Sequence, residues 1–108
     1  MLSLVGAAIA GFAAVPSLHA QQQQQPPGMA LMTVNCMQCH QVQGIENTGN
    51  IGPVLNDMKS RFPDRKELAA VIFDETKRNP QTVMPPFGRN LILTEAEINT
   101  VIDFLYTR

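Results

Sequence analysis

Three main helices joined by long loops, an all-α domain, is the architecture this sequence predicts, and three observations carry it. Apolar residues recur at helical spacing in two separate stretches, each opened by a capping signature. No stretch alternates apolar and polar residues as a half-buried strand does. The segments between are long and rich in Gly, Pro and Asn, the residues of turns. With 108 residues the chain is one small domain, and its net charge of −1 argues against a nucleic-acid-binding surface and against strong electrostatic steering.

The elements follow in order. Residues 1–20 contain no Asp, Glu, Lys or Arg and read as a secretory signal peptide, which implies a periplasmic protein. Leu2 to Val15 is an apolar run, Pro16 breaks it, and Leu18-His19-Ala20 offers the cleavage site. The run is shorter than the about 20 residues of a bilayer span, so cleavage is expected, with no stable membrane insertion afterwards. With no Cys near the cut, a lipidated anchor is not expected. Residues 21–27, five Gln and two Pro, form a low-complexity leader expected to be disordered. The folded domain is then residues 28–108. A domain this small buries little apolar surface and needs a staple.

Gly28 to Met37 reads as the first helix. Gln41 to Pro53 is a loop punctuated by Gly44, Asn47, Gly49, Asn50 and Gly52. Leu55 to Ser60 has room for one or two helical turns, followed by the apolar anchor Phe62 and by Pro63. Asp64, with Glu67 three positions on, starts the second main helix, whose apolar face is Leu68, Val71 and Ile72. Asn79-Pro80 is expected to stop it. Gln81 to Leu93 is a loop holding Met84-Pro85-Pro86-Phe87-Gly88. Thr94 and Glu97 form a second capping box, and Ile98, Val101, Ile102 and Leu105 complete the last helix.

The chemistry concentrates at Cys36-Met37-Gln38-Cys39-His40, a C-x-x-C-H motif. This is the attachment site of a c-type haem: each thiol adds to a vinyl group, and the adjacent imidazole can reach the iron. The motif therefore implies one covalently bound haem c, the staple that the small domain needs. A zinc site would need a fourth ligand that no motif positions, and a redox dithiol would want a βαβ context that is not visible.

His40 is the only histidine left after the expected cleavage and is the candidate proximal ligand. The second axial ligand falls to a methionine. Met29 and Met32 read as packing on the first helix, and Met37, between the cysteines, cannot swing to the opposite face. Met58 is a candidate pocket residue. Met84 stands beside Pro85 and Pro86, which fix φ and lower the entropy lost when the loop orders, so it is the candidate distal ligand. His/Met ligation closes both axial positions and raises the reduction potential. The carbonyl of Pro53 is placed to accept the Nδ1–H of the imidazole and orient the ring.

These residues resemble a class I cytochrome c. Gly28 resembles the small residue where the first and last helices cross in that family, and Phe104 the aromatic that packs on it. Gly52-Pro53-Val54-Leu55 resembles its Gly-Pro-x-Leu segment. A narrower set, Asn50-Ile51-Gly52-Pro53, Phe73-Asp74-Glu75-Thr76-Lys77, Asn79 through Gly88 and Ile92-Leu93-Thr94, is similar to the X subunit of the Sox sulfur-oxidation cytochromes. That resemblance implies a mono-haem His/Met subunit paired with a larger A subunit, whose catalytic haem is ligated by a modified cysteine. The pair joins thiosulfate oxidatively to a carrier-protein cysteine, an L-cysteine S-thiosulfotransferase reaction, and the X haem passes electrons to a downstream acceptor. With two cysteines in all, both in the haem motif, this chain hosts no such sulfur transfer alone.

Three functions compete: an electron-transfer subunit of that complex, a free periplasmic shuttle to a terminal oxidase, and a haem sensor or peroxidase-like enzyme. The last needs an open axial position, against which Met84 argues. A dedicated subunit should present an apolar patch near the haem edge, for which Pro85, Pro86 and Phe87 are candidates. The basic residues Lys59, Arg61, Arg65 and Lys66 read as a solvated face.

Overall fold

The computed structural model describes residues 2–14 and 25–108. The expected cleavage site, Leu18-His19-Ala20, and residues 21–24 of the leader lie outside the described residues. Residues 2–14 carry no helix, and no helix among the described residues is long and apolar enough to cross a membrane.

The domain is all helical: α1 (Met29–Asn35), α2 (Met58–Arg61), α3 (Arg65–Phe73), a 3-10 turn (Glu75–Lys77) and α4 (Glu95–Leu105). The last helix is the organiser, since α1 and α3 both pack on it. Its start is the expected capping box: Thr94 Oγ1 accepts from Glu97 N (3.2 Å), and Glu97 Oε1 accepts from Thr94 N (3.4 Å). Ile98, Val101, Ile102, Phe104 and Leu105 are all buried, so the predicted stripe is a core stripe.

The first helix is shorter than the expected Gly28 to Met37. Pro26 already belongs to the fold, its carbonyl accepting from Met29 N (3.1 Å). Gly28 is the N-cap at φ 91°, and regular bonding ends at Asn35, after which Met37 N reaches back to Met32 O (3.0 Å). Met32, fully buried, lies in the core with Val101 and Ile102 of α4. A Cβ on Gly28 would lie 2.9 Å from both Phe104 Cβ and the Thr100 carbonyl, so the helices approach here as closely as backbone allows.

Two further boundaries differ from expectation. Leu55 to Asp57 is not helical: Leu55 N bonds Gln41 O and Asn56 Oδ1 accepts from Gln43 N, which ties this strip to the preceding loop. Asp57 then adopts φ 55° and only Met58–Arg61 coils. The helix expected to run to Asn79 stops at Phe73. Asp74 is extended, and its carboxylate caps the 3-10 turn by accepting from Thr76 N (3.1 Å), so the side chain wins over continued α-bonding. At the start of α3, Asp64 caps through Lys66 N (2.9 Å) rather than by the reciprocal pairing expected with Glu67.

Side chains fasten α3 to α4. Tyr106 Oη donates to Phe62 O (2.7 Å), and Arg65 donates to Asn99 O (2.9 Å) and Asp103 Oδ1 (2.6 Å). Arg65 and Asp103 are well exposed, so the ion pair adds little beyond orientation. Arg61 donates to Val54 O, whereas Lys59 and Lys66 are exposed.

Gly28→Ala combines a left-handed φ with overlap against backbone. It is expected to lower stability by about 2–4 kcal/mol, read as a fall in the urea midpoint at unchanged slope.

Candidate functional site

The motif Cys36–His40 leaves α1 through a chain of tight turns. Cys39 N and His40 N both bond Cys36 O (3.1 and 3.0 Å), which sets both thiols and the imidazole on one short arc. The next loop is drawn back onto that arc by backbone bonds, Gly49 N to Met37 O (2.8 Å) and Gly52 N to Cys39 O (2.7 Å). Val42 is buried within it, an anchor that carries no periodic signal in the sequence.

This folding-back brings the carbonyl of Pro53 to 2.7 Å from His40 Nδ1. A carbonyl only accepts, so Nδ1 carries the proton, and in the neutral ring Nε2 holds the free lone pair. The ring also presses on Gly52. A Cβ there would overlap the imidazole, with Nδ1 at 2.7 Å and Nε2 at 2.9 Å. Glycine at 52 is thus a condition for the ring to reach Pro53.

A cavity of about 490 Å³ takes in Cys36, Cys39, His40, Gly52, Pro53 and Met84 together. Its walls are mainly apolar, built from α3 (Leu68, Val71, Ile72), α4 (Val101, Leu105) and the buried Met58 and Phe87. Such a volume with few polar groups is what a bound organic cofactor requires. Arg61, Glu75 and Arg78 bring charge to the lining; Arg61 is read from the sequence as part of a solvated basic face, and Glu75 and Arg78 carry no site signal there. A shallower depression of about 650 Å³ lies around Met29, Thr33, Met37 and Ile45. It contains neither cysteine, nor His40 or Met84, so size does not identify the site; the chemistry of the lining does.

The methionines separate clearly. Met32 is core, and Met29 and Met37 line the shallow depression instead of the cavity. Met58 and Met84 both line the cavity. Met58 is buried with Sδ 3.3 Å from Arg61 Nη1, so its thioether already accepts a hydrogen bond. Met84 is half-buried; its backbone N–H bonds Thr82 Oγ1 (3.1 Å), and among the described residues no donor holds its sulfur.

Cys36 and Cys39 form no disulfide, and before any thioether is made burial pushes the Cys36 thiol up to about 11, with the charge of Cys39 adding to the shift. A thiol so protonated at neutral pH is a poor thiolate nucleophile. Among the described residues no group of three or more His, Cys, Asp or Glu is placed to hold a metal ion. The patch expected from Pro85, Pro86 and Phe87 needs correction. Phe87 is only 6 % exposed and its carbonyl accepts from Ile92 N and Leu93 N, so it belongs to the core; Pro85 is exposed and Pro86 half-buried. The exposed apolar side chains on the cavity lining are instead Ile51 and Val83, at 71 % and 81 %.

A family model described as cytochrome c matches residues 25–108. Among curated proteins none matches the chain.

Gly52→Ala should push the imidazole off the Pro53 carbonyl. The hydrogen-bonded His40 Nδ1–H proton resonance of the parent is expected to vanish or move in the variant while the amides of α4 keep their shifts.

Proposed function

The chain belongs to the cytochrome c family, whose domains bind covalently attached haem c and transfer electrons, and we propose that it is a mono-haem His/Met electron-transfer subunit. Haem in such a site supplies a one-electron iron couple. Cys36 and Cys39 would hold it by thioether bonds, and His40 and Met84 would ligate the iron. The observation that carries this reading is the assembly of both thiols, His40 and Met84 on one apolar cavity. Two features support the fit: an imidazole whose tautomer is set by Pro53, and a thioether that no donor among the described residues already holds.

Each residue has a definable task. The Pro53 carbonyl, by accepting from Nδ1, keeps the ring from rotating and makes Nε2 a better donor. Met84, a neutral soft ligand, favours the reduced state and raises the potential. The apolar walls from α3 and α4 would limit the water in contact with a bound haem, so less solvent would reorganise when its charge changes. With His40 and Met84 as its ligands a bound haem would offer small substrates no open site, which suits electron transfer over sensing or peroxidase chemistry.

Cytochrome c domains typically work outside the cytoplasm, and the charge-free opening of residues 1–20 supports export to the periplasm by a cleaved signal peptide. For the partner, the resemblance of residues 50–53, 73–77, 79–88 and 92–94 to the Sox X subunits supports a heterodimer with a larger haem subunit that conjugates thiosulfate to a carrier cysteine. In that assembly this chain relays the electrons released. The exposed Ile51 and Val83 at the cavity supply an apolar contact for such a partner.

Met84→Ala is expected to abolish the weak sulfur-to-iron charge-transfer band of the oxidised protein and to lower the reduction potential; an unchanged band rejects Met84 as a ligand. Mixed with a Sox-type A subunit, the holoprotein is expected to elute as a one-to-one complex in size-exclusion chromatography. Persistent monomer would leave the free-shuttle role.

A further inference from the structure

The loop that carries Met84 packs into the core through Phe87 and Leu93 but has few hydrogen bonds to the rest of the domain. Its later part is mostly self-bonded: Asn90 N to Pro86 O, Leu91 N to Gly88 O, and Ile92 N and Leu93 N to Phe87 O. Among the described residues, every hydrogen bond that leaves residues 85–93 for an earlier part of the chain ends on Phe73, Asp74 or Thr76. Gly88 N and Arg89 N share the Phe73 carbonyl (3.1 and 3.2 Å), and the Phe73 ring lies where a Cβ of Gly88 would stand. Arg89 Nη1 donates to Asp74 Oδ2 at 2.8 Å.

The Asp74 end of this pair is costly by itself. Its side chain is 2 % exposed, and a carboxylate cannot be buried without compensation. Compensation is complete: Oδ1 accepts from the Thr76 hydroxyl and the Thr76 N–H, and Oδ2 from Arg89. The Thr76 hydroxyl bond, aided by the Thr76 N–H and the charges of Arg89 and Lys77, outweighs desolvation and holds this carboxyl below its usual range, so it stays ionised. Only the Asp74 end of the pair is buried, so the carboxylate depends on Arg89 and Thr76 for its compensation while the exposed guanidinium adds little stability of its own. Register is what matters here. Only Pro85, Pro86, Phe87 and Gly88 separate Arg89 from Met84, and the two prolines make that link stiff. Fixing Arg89 therefore fixes where the Met84 thioether falls.

We infer that Asp74 and Arg89 form a latch that holds the Met84 loop in register on the haem cavity, which makes them positioning residues for the Met84 sulfur. The inference rests on the reading of Met84 as an axial ligand. An external ligand competing for the iron measures how easily that sulfur leaves: if the latch is broken, the loop opens more often and the competitor binds at lower concentration.

The test uses oxidised holoprotein titrated with imidazole, following loss of the sulfur-to-iron charge-transfer band. Arg89→Gln and Asp74→Asn are expected to lower the half-saturating imidazole concentration about three- to tenfold, the range set by hydrogen bonds to charged groups and reduced by the exposure of Arg89. Arg89→Lys, which keeps the charge but not the fork, should fall between Arg89→Gln and the parent. Arg65→Gln breaks the ion pair between α3 and α4 and should stay within twofold of the parent. If Asp74→Asn does not fold by far-ultraviolet circular dichroism, Arg89→Gln decides, since residue 89 is half-exposed. Half-saturation within twofold of the parent in Arg89→Gln, or an equal shift in Arg65→Gln, overturns the latch. Met84→Ala separates the two readings: a lost band there with a normal Arg89→Gln rejects the latch alone, whereas a retained band rejects the ligand assignment and the latch with it.

Discussion

The approach of Gly28 to the Thr100–Phe104 turn of α4 is the contact from which the site is built. It sets how α1 enters the domain, and α1 delivers Cys36, Cys39 and His40 at its end. The same α4 supplies Val101 and Leu105 to the cavity wall, so the attachment arc and the wall are referenced to one crossing. A larger residue at 28 would tilt the arc relative to the wall. Close-packed interiors transmit such displacements instead of absorbing them. The loop bonds Gly49 to Met37 and Gly52 to Cys39 then carry the reference on to Pro53.

The parts of the fold that could be read from the sequence are those whose causes are local. Thr94 and Glu97 lie within one turn and specify the start of α4 without help from elsewhere. The haem motif is legible for the same reason, since five consecutive residues hold both thiols and the imidazole. Phe87 misleads because Pro-Pro-Phe-Gly has the composition of an exposed turn, while its burial depends on α3 and on two amides further along the chain. The early end of α3 has a local cause as well, since Asp74 followed by Thr76 is a capping pattern, but Asn79-Pro80 is the stronger stop signal in sequence. The pairing of Asp74 with Arg89 joins segments with no shared periodicity, so no local signal announces it.

Haem binding and electron transfer are general to the family; the choice of partner depends on surface and on a few segments of sequence. The distribution of charge is consistent with a chain that does not rely on long-range attraction. Arg65 and Arg89 are engaged with Asp103 and Asp74, whereas Lys59 and Lys66 are exposed, and the net charge of −1 leaves no large excess of either sign.

The hydrogen bond that orients His40 comes from a main-chain carbonyl, and that has a consequence for how the site evolves and how it is surveyed. Any residue at 53 brings the same acceptor, so an alanine scan would pass over this position unless the backbone moved. Its dependence shows up one residue earlier, at Gly52, whose missing side chain makes no contact at all. Tolerance measured by side-chain replacement would therefore rank the two positions in the reverse order of what they do: the atom that acts belongs to the replaceable residue, and the irreplaceable residue acts only by leaving room.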